Sequence, residues 1–208
     1  MSIRYLSCFL QLFALLVILF DGSVLAQSLP QYPLPKFGTI TVDPDIQIDG
    51  SGMNVDTIGF WGGPDGTETL MLVTAKGNQV VEVWKYPFKG NELSPLTHST
   101  FSGGRLNGLA VDQEADLLYV SIGNGSNTVS VFSLPGLDFV RNFNKPGVNY
   151  RIEPNLAILN LTNGGKNIYV SADSPVYIHD AATGKYISEV KPAAALETMA
   201  PDTYYQRL

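Results

Sequence analysis

Leu70-Met-Leu-Val-Thr-Ala75, Leu117-Leu-Tyr-Val-Ser-Ile122 and Asn167-Ile-Tyr-Val-Ser-Ala172 superpose residue for residue, and their valines, Val73, Val120 and Val170, stand 47 and 50 positions apart. A period of that size belongs to propeller blades, not to helical solenoids. After a polar turn each copy is followed by a second β-branched and aromatic run: Val80-Val-Glu-Val-Trp84, Thr128-Val-Ser-Val-Phe132 and Pro175-Val-Tyr-Ile-His179. Gly, Asn, Asp and Ser punctuate these runs, as they do between antiparallel strands. Apolar strands precede each pair at Val55 to Trp61, Leu106 to Asp112 and Pro154 to Leu161. A fourth strand is expected near Leu93 to Phe101, Phe139 to Asn144 and Lys185 to Val190.

Four strands per copy is the make-up of a blade, and no stretch keeps a helical period over three turns. The sequence therefore predicts an all-β chain, a β-propeller of four-stranded antiparallel blades. The blades run over about 55–101, 106–144 and 153–192, and a fourth starts at 197–208. Typical propellers hold roughly four to eight blades and close their ring. The expectation is the front part of a longer ring, or a partial ring closed by copies of itself. Trp61, Trp84, Tyr119, Phe132 and Tyr169 are expected to pack between blades.

The N-terminus has the layout of a secretion signal over residues 1–26: Arg4, then an apolar run from Leu6 to Phe20, then Val24-Leu-Ala26 before a cut at Gln27. The run is shorter than a bilayer-spanning helix, which needs about 20 apolar residues. The expectation is a secreted protein, extracellular or periplasmic, with no membrane attachment after cleavage. Residues 27–54 form an extended lead-in with Pro30, Pro33 and Pro35, then two short strands at Gly38 to Val42 and Ile46 to Ile48.

The single cysteine, Cys8, lies in the signal, so the mature chain has no disulfide and no Cys-based metal site. Arg4 and Asp21 leave together, so the formal charge stays at −6. An acidic chain without clustered Lys and Arg argues against nucleic acid as a partner. Two sequons, Asn124-Gly-Ser126 and Asn160-Leu-Thr162, gain meaning only in a glycosylating secretory pathway.

Common catalytic signatures are absent from the sequence. There is no Gly-x-Ser-x-Gly elbow and no His-Glu-x-x-His. His98 and His179 fall on different blades, and His179 reads as a strand residue facing solvent or a neighbouring blade. Asp43-Pro-Asp45 with Asp49-Gly50 lacks the ligand spacing of an EF-hand and reads as turn chemistry. Four other carboxylates, Asp56, Asp112, Glu197 and Asp202, fall at or near strand ends. Gathered near a central channel they would repel one another unless a divalent cation lay between them. Calcium would suit that arrangement.

Four stretches resemble the β-propeller phytases (3-phytase-like), a family of secreted, calcium-dependent, six-bladed enzymes, with the likeness confined to the family's N-terminal portion. They are Val55-Asp-Thr-Ile-Gly-Phe-Trp61, Thr74-Ala-Lys76 with Val81-Glu-Val-Trp84, Gly104-Arg-Leu-Asn-Gly-Leu109, and Glu197-Thr-Met-Ala-Pro-Asp202 onward. The resemblance implies calcium bound by Asp56, Glu197 and Asp202, substrate phosphate held by Lys76, and a phosphorylated small molecule as substrate. It implies a phosphoric monoester hydrolase and assigns no catalytic side chain. Thr57 stands where the family has a second aspartate, and Ser121-Ile-Gly-Asn124 where it has an arginine. Phytate is highly charged, so fewer cations in an acidic chain mean weaker substrate binding. Lys76 has a plainer reading as a solvated turn residue before Gly77 and Asn78.

Two other classes fit the sequence: a non-catalytic secreted propeller that binds a protein or glycan, and a calcium-dependent lactonase-like propeller, to whose strands Asn107-Gly-Leu-Ala-Val-Asp112 is similar.

Overall fold

A computed structural model describes residues 54–66, 68–77, 79–86, 97–100, 104–150, 153–171, 174–193, 196 and 199–201. The signal, nearly all of the lead-in, and Glu197 and Asp202 lie outside these residues. Twelve strands are described: β1 Val55–Gly62, β2 Thr69–Ala75, β3 Val80–Tyr86, β4 Thr97–Thr100, β5 Arg105–Asp112, β6 Leu117–Gly123, β7 Thr128–Ser133, β8 Asp138–Phe143, β9 Asn155–Asn160, β10 Lys166–Ser171, β11 Val176–Asp180 and β12 Tyr186–Val190. They form three four-stranded antiparallel sheets in the orders β1-β2-β3-β4, β5-β6-β7-β8 and β9-β10-β11-β12. Each sheet is one copy of the sequence repeat, and the described chain is a partial β-propeller of three blades.

Register confirms the superposition that the sequence suggested. Val73 pairs with Ile58, Val120 with Leu109 and Val170 with Leu156. The first and second blades also share a bulge, between Val55 and Ile58 and between Leu106 and Leu109. Side chains alternate across a strand, so each blade has two faces. Leu70, Leu72, Val81 and Val83 of the first blade pack against Leu109, Leu118, Val120 and Phe132 of the second. The opposite face of the second blade, with Tyr119, Val129, Val131 and Phe143, packs on Ile168, Val170 and Tyr177 of the third. Both faces of the middle blade are apolar because both are covered. A fully buried Leu or Val contributes about 1.5–3 kcal/mol relative to exposure.

Of the aromatic residues expected between blades, Trp61, Trp84, Tyr119 and Phe132 are buried. Tyr169 is only half-buried. It pairs with Ile178 and Ala157, on the face of the third blade turned away from the second. His179 sits in the opposite phase, fully buried, with its ring 5.0 Å from that of Phe143 in the neighbouring blade.

The first strand of every blade is the innermost. β5 contacts β1 on one side and β9 on the other, and the approach is close enough to require glycine. A Cβ on Gly108 would lie 2.8 Å from Asn155 Cα and Leu156 N. A recurring hydroxyl stitches each blade to the next. Thr74 Oγ1 donates to Asn107 O at 2.8 Å, Ser121 Oγ to Pro154 O, and Ser171 Oγ to Leu196 O at 2.8 Å. These three residues follow the aligned valines, at the end of each second strand. The third stitch places Leu196 where the opening of a further inner strand belongs.

Candidate functional site

The stitched end of the blades also gathers charge. Asp56 opens β1, Lys76 follows β2, Arg105 opens β5 and Glu153 precedes β9, so equivalent strand ends of three blades contribute. Lys76 is anchored by its backbone, whose N–H donates to Asn54 O at 3.0 Å. Its side chain is 7% exposed, and its Nζ lies 2.7 Å from Asp56 Oδ1 and 3.3 Å from Glu153 Oε1. Arg105 Nη2 stands 3.8 Å from the same Glu153 oxygen. Two carboxylates and two cations leave the cluster with no formal net charge.

Beneath the charges lies a polar floor. Pro154 O accepts from Gly108 N at 3.1 Å, from Asn107 Nδ2 at 3.3 Å and from Ser121 Oγ. Asn107 is buried, and its Oδ1 has no hydrogen-bond partner among the described residues. Thr57 N donates to Thr74 Oγ1 at 3.1 Å, and Thr57 Oγ1 donates to Asp56 Oδ2 at 3.1 Å.

Several sequence-based expectations change here. Lys76 is not a solvated turn residue, because its side chain is buried and its ammonium is shared by two carboxylates from different blades. Asp112 does not join Asp56. Asp56 opens its inner strand whereas Asp112 closes the equivalent one, and at about 3.3 Å per residue the two ends are some 17 Å apart along the strand direction. At its own end Asp112 Oδ1 accepts from Lys166 Nζ at 2.5 Å and from Glu114 N and Ala115 N, both at 3.1 Å. Burial pulls the Lys166 ammonium down, but hydrogen bonds to Asp112 and Glu114 outweigh it and leave the pKa raised.

Ca²⁺ takes about six to eight oxygen ligands, while Asp56 is occupied by Lys76 and Asp112 by Lys166. Among the described residues no three His, Cys, Asp or Glu side chains are grouped to hold a metal ion. The described residues therefore do not fit a calcium centre, and Glu197 and Asp202 lie outside them. His98 lies on β4, opposite Glu82 in register, and His179 on β11, so the two histidines remain on separate blades.

Sequence reasoning missed Glu153 and quoted Arg105 and Asn107 only within resembling stretches, with no role of their own, since polar residues near strand ends carry no periodic signal. The Thr74, Ser121 and Ser171 stitch was legible, as a hydroxyl in the same column of all three copies.

Three four-stranded blades with adjoining inner strands place the chain in the class of β-propellers. No protein-family model matches the chain, and no curated protein matches it. Among solved structures it is similar to hydrazine synthase of Kuenenia stuttgartiensis, with a TM-score of 0.51 and 13% identity over 74% of this chain and 40% of that one. It is also similar to the Cps50 (Swd1) beta-propeller domain of Myceliophteria thermophila, with a TM-score of 0.45 and 12% identity over 64% of this chain and 43% of that one. The first likeness concerns the fold alone, and the second is too low in score to carry an argument. The chain spans about 40% of the length of the first and 43% of the second.

Proposed function

We propose that this chain is part of a secreted β-propeller that binds a protein partner at the end carrying Asp56, Lys76, Arg105 and Glu153, and that Lys76 organises this end without binding phosphate. The carrying observation is the ion pair of Lys76 with Asp56 at 2.7 Å, in which the lysine side chain is 7% exposed. A phosphate would have to displace both carboxylates to reach it. The groups left accessible are Glu153, half exposed, Arg105, 37% exposed, and part of Asp56, 25% exposed. A rim bearing both signs of charge suits a protein surface of mixed charge. A glycan platform would need exposed aromatic rings at this end. Among the described residues the most exposed ring, Phe139, lies instead on the outer strand β8.

A calcium-dependent phosphomonoesterase is the second reading. It is favoured by the resemblance of residues 197–208 to a phytase segment. The test is phosphate release from phytate and from a simple aryl phosphate by the full secreted protein, with calcium and with chelator. A lactone substrate is run alongside, and glycan-array binding is measured in parallel with affinity capture. The expected result is no turnover of any substrate and saturable binding of a protein. Phosphate release that disappears with the chelator would replace the binding reading by the phosphoesterase one.

A further inference from the structure

The sequon Asn124-Gly-Ser126 has no part in the charged cluster, yet it lies at the same end of the molecule. It forms the turn between β6, which ends at Gly123, and β7, which begins at Thr128. With Val120 equivalent to Val73, this turn is the second blade's counterpart of the one that carries Lys76. The two turns differ in outcome. Lys76 folds inward and is buried, whereas Asn124, Gly125 and Ser126 are all exposed.

Asn124 adopts a left-handed backbone with φ of 49°. Asn tolerates that region better than most residues, which is reason enough for an Asn here. It does not explain a hydroxyl two residues later, because the turn is closed from within by Asn127 Nδ2 donating to Gly125 O at 2.8 Å. The Asn124 carboxamide has no hydrogen-bond partner among the described residues, so a substituent on its nitrogen breaks nothing. The other sequon is placed differently. Asn160 is a ladder residue opposite Lys166, and Leu161 closes its hairpin by donating to Gly165 O at 2.8 Å.

We propose that Asn124 is an N-glycosylation site. The inference rests on the secreted reading, since the oligosaccharide donor belongs to the export pathway. In the transfer, the Asn124 carboxamide nitrogen attacks C1 of the first sugar of a polyprenyl-pyrophosphate-linked oligosaccharide. The N–C1 bond forms, the C1–O bond to pyrophosphate breaks, the polyprenyl pyrophosphate leaves, and one amide proton passes to the transferase. Acceptor asparagines of this kind lie on surface loops, where a bulky hydrated group is tolerated. A glycan here would flank the charged cluster and confine a partner's footprint to the central strand ends.

The test is peptide mass mapping of the exported protein from its source, before and after an amidase that releases Asn-linked glycans and leaves Asp in place of Asn. The expected result is a glycan mass on the peptide holding residue 124, converted by the enzyme to a peptide with Asp at that position. N124Q and S126A, expressed in a host that glycosylates, should each lose one mobility step; S126A, which leaves the left-handed Asn124 in place, should keep its tryptophan fluorescence and melting temperature. Exported protein with its N-terminus at Gln27 and only unmodified Asn124 would overturn the proposal and leave secretion standing. Protein kept in the cell with residues 1–26 attached would overturn both, and the N-terminal peptide tells the two failures apart.

Discussion

Replacing Lys76 by Met removes the ammonium and keeps most of the buried stem. At 2.7 Å from Asp56 and an effective dielectric near 20, the gross attraction is about 6 kcal/mol. Desolvating the ammonium offsets most of it. Breaking a fully buried pair costs about 3–5 kcal/mol, and an exposed pair contributes about 0–1 kcal/mol. Asp56 is 25% exposed and Glu153 50%, so the pair falls between these limits. We expect K76M to lose about 2 kcal/mol, nearly all of it through Asp56. D56N should lose about 1–2 kcal/mol, and the double variant little more than either alone, which is the signature of a shared interaction. Urea unfolding followed by the fluorescence of Trp61 and Trp84, both 2% exposed, reads the change. The loss should shrink in part at high salt, because a pair whose carboxylates are partly exposed is partly screened. Losses that simply add, or a K76M variant within about 0.5 kcal/mol of the parent, would mean that Lys76 and Asp56 do not depend on each other. Lys76 would then be a free cation again, and anion binding would return as its role.

Three further outcomes follow from the packing. His179 is buried with Nδ1 at 3.0 Å from Gly184 O and Nε2 without a partner among the described residues, and burial lowers its pKa from 6.5. The unfolded chain therefore takes up the proton first. Stability is fully present above about pH 6.5 and is lost as pH falls through and below that value; a pH series of melting temperatures in which H179Q falls as steeply as the parent would count against this. G108A should cost at least about 2 kcal/mol, since backbone atoms cannot yield to the added Cβ, whereas G62A meets nothing within 4 Å and should melt like the parent. W61F loses the bond from Nε1 to Asp116 Oδ1 at 2.8 Å, which ties the first blade to the second, and should cost about 1.5–3 kcal/mol by denaturant midpoint. A neutral W61F would mean that Asp116 is equally well satisfied by water.

The strands were legible because their pattern is local. Val73, Val120 and Val170 announce a repeat, and the polar turns between runs bound the strands to within a residue or two, as at β6, expected over 117–122 and found at Leu117–Gly123. Only chemistry that repeats with the blade could be read in the same way, such as the hydroxyl after each valine. The ion cluster could not. Lys76 and Glu153 are 77 positions apart, in turns where lysine and glutamate are common for reasons of solvation alone. The expectation that Asp56 and Asp112 would meet failed for a related cause. Both are strand-end aspartates in sequence, but which end of the strand each occupies matters only after the blades are laid side by side.

From the chain alone came the three blades, their four-stranded make-up and most of the apolar residues that join them, because alternation and period act within a few residues of one another. The tertiary structure alone decided that Lys76 is buried against Asp56 and Glu153, that Tyr169 turns away from its neighbour while His179 is enclosed, and that Asn124 stays in solvent. These are contacts between blades, and a contact made across blades leaves no period in the chain.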